Sequence, residues 1–286
     1  MMENRYSKVA EIGNWLDQLN DTERQNRIWR LGLLTGWRKR GDDDFIAPNF
    51  ERALIIDRII ELIKPKAILE IGTGRGLGCT TAALAGKVYD CDLHVTTIDI
   101  SPPDKKQDWA IQIDGNNKVI KASRNEIWSK YVNNELTDNI LQITGSTTKV
   151  LPELLSRGRK YDFIFVDGGH DLYTVIHDLT YAASLLSDDG IILMDDFSPI
   201  DRWAIGINMS VHHAKKLFQH VSILHTEGIV FGSSENPNFP RGMVIMMKKK
   251  FNDIQINRLG LIYWIFIKKI IPFGFGKVGS PYKTRS

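Results

Sequence analysis

The run Glu70-Ile-Gly72-Thr-Gly74-Arg-Gly76-Leu-Gly78 sits where an apolar segment gives way to a helical pattern. Glycine lets backbone approach a ligand with no Cβ in the way, and the start of a helix offers free N–H groups. The dinucleotide fingerprint G-x-G-x-x-G would need glycine at position 77 or 79, which hold Leu77 and Cys79. Glu70, two residues before the first glycine, is a poor neighbour for a pyrophosphate and a suitable one for a sulfonium or ammonium group. Asp99 closes the next apolar run, where a carboxylate can accept both hydroxyls of a ribose.

A second constellation follows downstream. One apolar run ends in Val166-Asp167-Gly168-Gly169-His170 and the next in Asp195-Asp196-Phe197. Open α/β sheets place their ligands at the carboxyl ends of their strands. Three carboxylates converging there would repel unless a cation stood between them, and an all-oxygen set suits a hard divalent ion, Mg²⁺. Such an ion would chelate two adjacent oxygens of a substrate and lower the pKa of one hydroxyl. His170 is placed to act as general base on that hydroxyl, since imidazole titrates near neutral pH. A sulfonium needs no further activation, so in-line alignment of oxygen, methyl and sulfur is what remains for the protein to supply.

These residues need rigid supports, and the chain supplies a strand–helix alternation from about residue 50. Strands are expected at Ala67–Ile71, His94–Asp99, Ile140–Thr144, 163–166 and 191–194, each short, rich in Ile and Val and closed by a polar or glycine turn. A helix is expected over 174–187, where Val175, Ile176, Leu179, Ala182, Ala183 and Leu186 share a face. Another follows over 205–218, then strands at 221–225 and 243–247. This rhythm predicts a doubly wound α/β sheet. Residues 1–48 read as an N-terminal helical cap, 49–248 as the main domain and 249–286 as a separate tail. Residues 103–139 are too long for a simple connection and read as a polar insertion near the strand ends, either a lid or a subunit contact.

E-x-G-x-G-x-G followed by a strand-ending Asp resembles motifs I and II of class I S-adenosylmethionine-dependent methyltransferases. The resemblance implies a Rossmann-like sheet of seven mostly parallel strands. It further implies that Gly72, Gly74 and Gly76 line the methionine part of the cofactor, with Glu70 nearby. Asp99 would bind the ribose, Ser146 would lie beside the adenine, and Asp167 would touch the cofactor as well as a metal. The set FVDGGH and DDF is similar to the metal-dependent branch that methylates sugar hydroxyls, the macrocin and mycinamicin type of macrolide-sugar O-methyltransferase. Carried over, this gives Asp167, Asp195 and Asp196 as Mg²⁺ ligands and His170 as base. Catechol-type relatives usually have Lys in place of His170 and Asp-Asn in place of Asp-Asp, so the chain departs from them. The resemblance covers roughly residues 50–248.

Composition bounds the alternatives. At 43% hydrophobic, with 25% charged residues and 2 cysteines, the chain is neither disordered nor disulfide-stapled. Cys79 and Cys91 lack metal-ligand spacing and read as buried or incidental thiols. No stretch reaches the ~20 apolar residues of a membrane span, and no signal peptide is evident, so a soluble, cytoplasmic protein is expected. The net charge of +3 hides an asymmetry: residues 248–286 hold nine Lys/Arg against Asp253, a net of +8, leaving −5 on the body. The apolar run at 259–267, inside a segment 256–271 flanked by Lys268 and Lys269, reads either as a segment packed on the body or across a dimer interface, or as a peripheral membrane contact. The expected partner is a small hydroxyl-bearing acceptor, sugar-containing, with no nucleic acid; a homo-oligomer is expected. His212 and His213 cannot both face one site and read as surface or packing residues, while Trp29 and Trp37 read as core packing. Two other functions fit the same residues: a metal-dependent hydroxylase-like relative, and a membrane-associated protein that keeps the cofactor pocket without turnover.

Overall fold

The computed structural model describes residues 22–36, 38–40, 44–46, 50–113, 115–198, 204–225 and 242–248. The expectations for residues 1–21, for Trp37 and for the tail, including segment 256–271, lie outside the described residues. Seven strands form one sheet in the order β10-β11-β9-β8-β3-β4-β7. They are β3 (Ala67–Ile71), β4 (His94–Asp99), β7 (Ile140–Thr144), β8 (Tyr161–Val166), β9 (Leu186–Phe197), β10 (Phe218–His225) and β11 (Gly242–Lys248). The pairs β3–β4, β4–β7 and β8–β9 are parallel, and β9–β11 and β10–β11 are antiparallel. This is the expected doubly wound, mostly parallel sheet. Packing divides the chain into two compact units, one running to Gly145 and the other starting at Ser146.

In the first unit, helices α1 (Thr22–Thr35), α2 (Phe50–Ile63) and α3 (Leu77–Val88) pack on one another, and two short strands, β1 (Arg38–Arg40) and β2 (Asp44–Ile46), pair antiparallel. Helix α1 turns Arg24, Ile28, Leu31 and Thr35 inward at helical spacing. Trp29 stacks on Phe50 with ring centroids 4.4 Å apart, so it serves packing. A buried polar knot ties the helices together. Arg24 Nε lies 2.8 Å from Asp57 Oδ2, which also accepts from Tyr89 Oη at 2.8 Å, and Arg27 reaches Asp57 Oδ1 at 3.3 Å. Cys79 is buried, and both cysteines are free thiols.

The segment 103–139 differs from its reading as a polar insertion. It folds as an antiparallel hairpin, β5 (Gln107–Ile113) with β6 (Asn116–Ala122), then α4 (Arg124–Tyr131) and α5 (Asn134–Thr137). Trp109, Ala110 and Ile111 are buried, so its centre is core, and β5 packs on α1. Helix α4 starts on a capping box: Ser123 Oγ accepts from Glu126 N, and the Glu126 carboxylate accepts from Ser123 N.

The second unit holds α6 (Thr147–Ser156), β8, α7 (Leu172–Leu185), β9, α8 (Ile205–Leu217), β10 and β11. Helix α7 begins at Asp171, whose carboxylate accepts from Thr174 N at 3.0 Å, and buries Val175, Ile176, Leu179, Ala182 and Ala183, as the periodicity predicts. Strand β9 starts five residues before the expected position. Tyr161 pairs with Leu186 and Phe163 with Ile191, so residues 187–190 are taken up as an irregularity between the two pairs. On α8, His213 is buried and His212 exposed; burial and the neighbouring charges push the His213 imidazole down to about 4. Among the described residues no helix is long and apolar enough to cross a membrane.

Candidate active site

The first unit shapes the glycine turn. Gly72, Gly74 and Gly76 have φ of +94°, +53° and +100°, left-handed values that glycine adopts without steric cost. The turn is pinned by Gly72 N donating to Ile98 O at 2.9 Å and Gly76 N donating to Thr73 O at 2.8 Å. Asp99, at the end of β4, accepts from Gly74 N through Oδ2 at 2.8 Å and from Ser101 N through Oδ1 at 2.7 Å. The loop and the carboxylate therefore form one hydrogen-bonded unit. Each oxygen keeps a second lone pair with which to accept a ribose hydroxyl.

Glu70 takes a different place from the one its sequence position suggests. It is 2% exposed and accepts from Thr97 Oγ1 at 2.5 Å, while Thr97 also bonds Thr73 Oγ1 at 2.7 Å. Its carboxyl underpins the turn from inside. Burial pushes it up to about 7, against the opposing pull of bonds from Thr97 and Cys79 and the positive charge of Arg124 and Arg52.

Residues that the sequence reading did not single out surround this turn. Arg124, on α4, donates to Ser101 O at 3.1 Å and Gln142 Oε1 at 3.2 Å and stands 3.9 Å from Asp99 Oδ2. Trp128 donates from Nε1 to Arg75 O at 3.3 Å. The Arg75 guanidinium lies over the Trp109 ring at 5.6 Å. The pattern Ser123-Arg-Asn-Glu126 marks the start of this helix in the sequence, but nothing in it points back to a loop fifty residues earlier.

In the second unit a small pocket is lined by Asp167, Gly168, Gly169 and His170 from the β8–α7 turn and by Asp195 and Asp196 from the end of β9, over Val166, Val175, Met194 and Ile207. The glycines are explained by proximity. A Cβ on Gly169 would stand 2.8 Å from Thr174 Cγ2, and one on Gly206, at the start of α8, 2.3 Å from His170 O. Gly206 thus lets α8 pack directly on the backbone that carries His170. Ser146 belongs to the same unit, where its Oγ caps α6 by accepting from Thr148 N at 3.3 Å.

His170 Nε2 lies 3.1 Å from Asp196 Oδ2. Asp196 has φ +63°, a left-handed conformation that is uncommon for a side-chain-bearing residue and recurs at functional sites. Its neighbour Asp195 is 3% exposed and accepts from Asp196 N through Oδ1 at 2.7 Å. Asp167, Asp195 and Asp196, the expected Mg²⁺ ligands, line this one pocket. Among the described residues no group of three or more His, Cys, Asp or Glu side chains is placed to hold a metal ion. Within that pocket Asp195 is almost wholly buried, while Asp196 meets His170.

Residues 69–197 match the model of a methyltransferase domain family. The fold is similar to a putative O-methyltransferase from Klebsiella pneumoniae at 16% identity and TM-score 0.53, covering 83% of this chain and 96% of that one. It is similar to the O-methyltransferase from Bacillus cereus, solved in complex with SAH, at 14% identity and TM-score 0.53, covering 83% and 97%. A third structure, the O-methyltransferase TomG from Streptomyces achromogenes, involved in tomaymycin synthesis and solved in complex with SAM, gives 14% identity and TM-score 0.51, covering 84% and 96%. No curated protein matches the sequence significantly. The match lies on a fold similar to that of solved O-methyltransferases.

Proposed function

We propose that the protein transfers the methyl group of S-adenosylmethionine to a hydroxyl oxygen of a small acceptor, a sugar or a glycosylated small molecule. The observation that carries this reading is the extent of the methyltransferase match, 69–197, which takes in the glycine turn, Asp99, His170 and Asp196. Transfer to oxygen is supported by the O-methyltransferases of the same fold. The sugar class rests on the likeness of Asp167-Gly-Gly-His170 and Asp195-Asp196 to the macrolide-sugar enzymes.

The glycine turn and Asp99 hold the cofactor. His170 serves as base, with the imidazole tautomer protonated at Nε2 donating to Asp196 and Nδ1 as the proton acceptor. As the acceptor oxygen attacks the methyl carbon, the C–S bond breaks and its electron pair returns to sulfur, giving S-adenosylhomocysteine. The hydroxyl proton passes to His170 Nδ1. Asp196 steadies the imidazolium that results. These steps use the chain's own residues alone: the turn and Asp99 bind, His170 takes the proton and Asp196 holds the imidazole in place.

The test is transfer of labelled methyl from S-adenosylmethionine to a panel of sugars and glycosides, for wild type and His170→Ala, with and without EDTA. The expected result is transfer to at least one glycoside, a loss of about 10²–10⁴-fold in His170→Ala, and a rate in EDTA within about twofold of the untreated rate. Full activity in His170→Ala would remove the base, and abolition by EDTA with rescue by Mg²⁺ would remove the metal-free mechanism.

A further inference from the structure

The hairpin β5–β6 and helix α4 stand apart from the sheet, yet their buried side chains turn toward the glycine turn and Asp99. Trp109, at 0% exposure, is fixed by its Nε1 donating to Leu34 O of α1 at 3.0 Å. Its ring supports the Arg75 guanidinium, whose Nη2 donates to Asp108 O at 3.1 Å. On α4, Arg124 and Trp128 are four residues apart and so share a face, and both are almost wholly buried. Trp128 holds the other end of residue 75 through its carbonyl and fills the space beside Gly76, where an added Cβ would stand 2.3 Å from the indole. Arg124 bonds the carbonyl of Ser101, whose N–H in turn holds Asp99.

We propose that this segment is a positioning device for the methyl-donor pocket, with Arg124 and Trp128 as positioning residues that set Asp99 and the glycine turn before the cofactor arrives. This rests on the assignment of Asp99 and the turn to S-adenosylmethionine. A planar guanidinium with two donors fixes the carbonyl of Ser101 and an oxygen of Gln142 at the same time, which a lysine ammonium does not reproduce. Fixing the carboxylate and the turn in advance removes ordering cost from binding, so the device acts on affinity. Its place in the fold, packed on α1 and on residue 75, gives the 103–139 segment a role other than a lid or a subunit contact.

The experiment is calorimetric titration of S-adenosylmethionine into the full chain, comparing wild type with Arg124→Lys and Trp128→Phe, both of which keep most of the buried volume. Each is repeated in an Asp99→Ala background, with thermal unfolding followed in parallel. The expected result is a dissociation constant raised about 10- to 100-fold by Arg124→Lys, the range for a charged hydrogen bond. Trp128→Phe should give a smaller rise, and stoichiometry should stay at one per chain. In the Asp99→Ala background Arg124→Lys should add less than about twofold, because the residue it positions is gone. Unchanged affinity in both single variants would overturn the proposal, as would a full and additive effect in the absence of Asp99. A purely structural role would lower the melting temperature and the number of competent sites while leaving the dissociation constant in place, which also overturns it. If wild type itself fails to bind, the functional reading falls together with the inference; if wild type binds and the variants bind equally well, the inference falls alone.

Discussion

Gly74 and Gly76 are two residues apart on the same turn and should respond oppositely to alanine. Gly74 has φ +53°, and a Cβ there meets nothing within 4 Å. Gly74→Ala therefore carries only the left-handed backbone cost, about 1–2 kcal/mol, and sends its methyl group into open space on the turn. Gly76 has φ +100°, and its Cβ would stand 2.3 Å from Trp128 Cζ2 and 2.9 Å from Cε2. That indole is buried and hydrogen-bonded, so it cannot swing aside as a flexible chain end would. The backbone strain of about 1–3 kcal/mol is joined by an overpacking cost of about 1–3 kcal/mol, a total of roughly 2–6 kcal/mol. At about 2–4 °C per kcal/mol, a mid-range loss lowers the melting temperature by roughly 8–16 °C, against roughly 2–8 °C for Gly74→Ala. Circular dichroism melts give the stabilities, and titration with S-adenosylhomocysteine gives the affinities. Gly74→Ala should stay folded and bind poorly, while Gly76→Ala should be the less stable variant. Equal melting temperatures for the two, or wild-type binding by Gly74→Ala, would refute the reasoning.

Glu70 gives a pH signature. A carboxyl whose folded value is raised by burial, here from 4.5 to about 7, favours the folded state most below 4.5, and that contribution is lost as the pH climbs through about 7. The loss is on the order of 3 kcal/mol, and Glu70→Gln should flatten it; urea melts at several pH values that run parallel for the two proteins would sink the assignment. Asp57→Ala removes the partner of Arg24 Nε and the acceptor of Tyr89 Oη while Arg24 keeps its contacts with Glu61 and Tyr89, so it should cost about 1–3 kcal/mol. Chemical unfolding with a loss under about 1 kcal/mol would show that the knot does not hold α1. Asp196→Gly relieves a left-handed residue and should raise stability by up to about 1 kcal/mol while slowing methyl transfer. A variant that is both slower and markedly less stable would mean that Asp196 serves the fold instead.

The parallel core was legible because β3, β4, β8 and the centre of β9 are buried on both faces and so read as short Ile- and Val-rich runs. The hairpin was not, because Trp109, Ala110 and Ile111 form a brief apolar island among charged residues. Its signal in the sequence was the Asp-Gly dipeptide at 114–115, and Gly115, just before the paired Asn116, has φ +75°. Strand β9 starts early because Leu186 pairs with Tyr161 ahead of the polar 187–190 stretch, a tertiary choice with no local trace. At the site, the glycine turn, Asp99 and His170 were visible as motifs because local backbone demands glycine and strand ends demand their carboxylates. Arg124 and Trp128 were invisible, since long-range packing alone brings them to the turn. The Asp195-Asp196 pair was visible in the sequence too, but the left-handed turn at Asp196 that sets it beside His170 was not.

The central claim is that the glycine turn and Asp99 form a methyl-donor pocket. The most direct measurement is calorimetric titration of S-adenosylhomocysteine into the full chain and into Asp99→Ala, in buffer containing EDTA. The claim predicts one binding site per chain for wild type and an affinity at least about tenfold weaker for Asp99→Ala, the loss expected of hydrogen bonds to a charged group. Absence of binding to the wild type, or equal affinity for the two proteins, would contradict it.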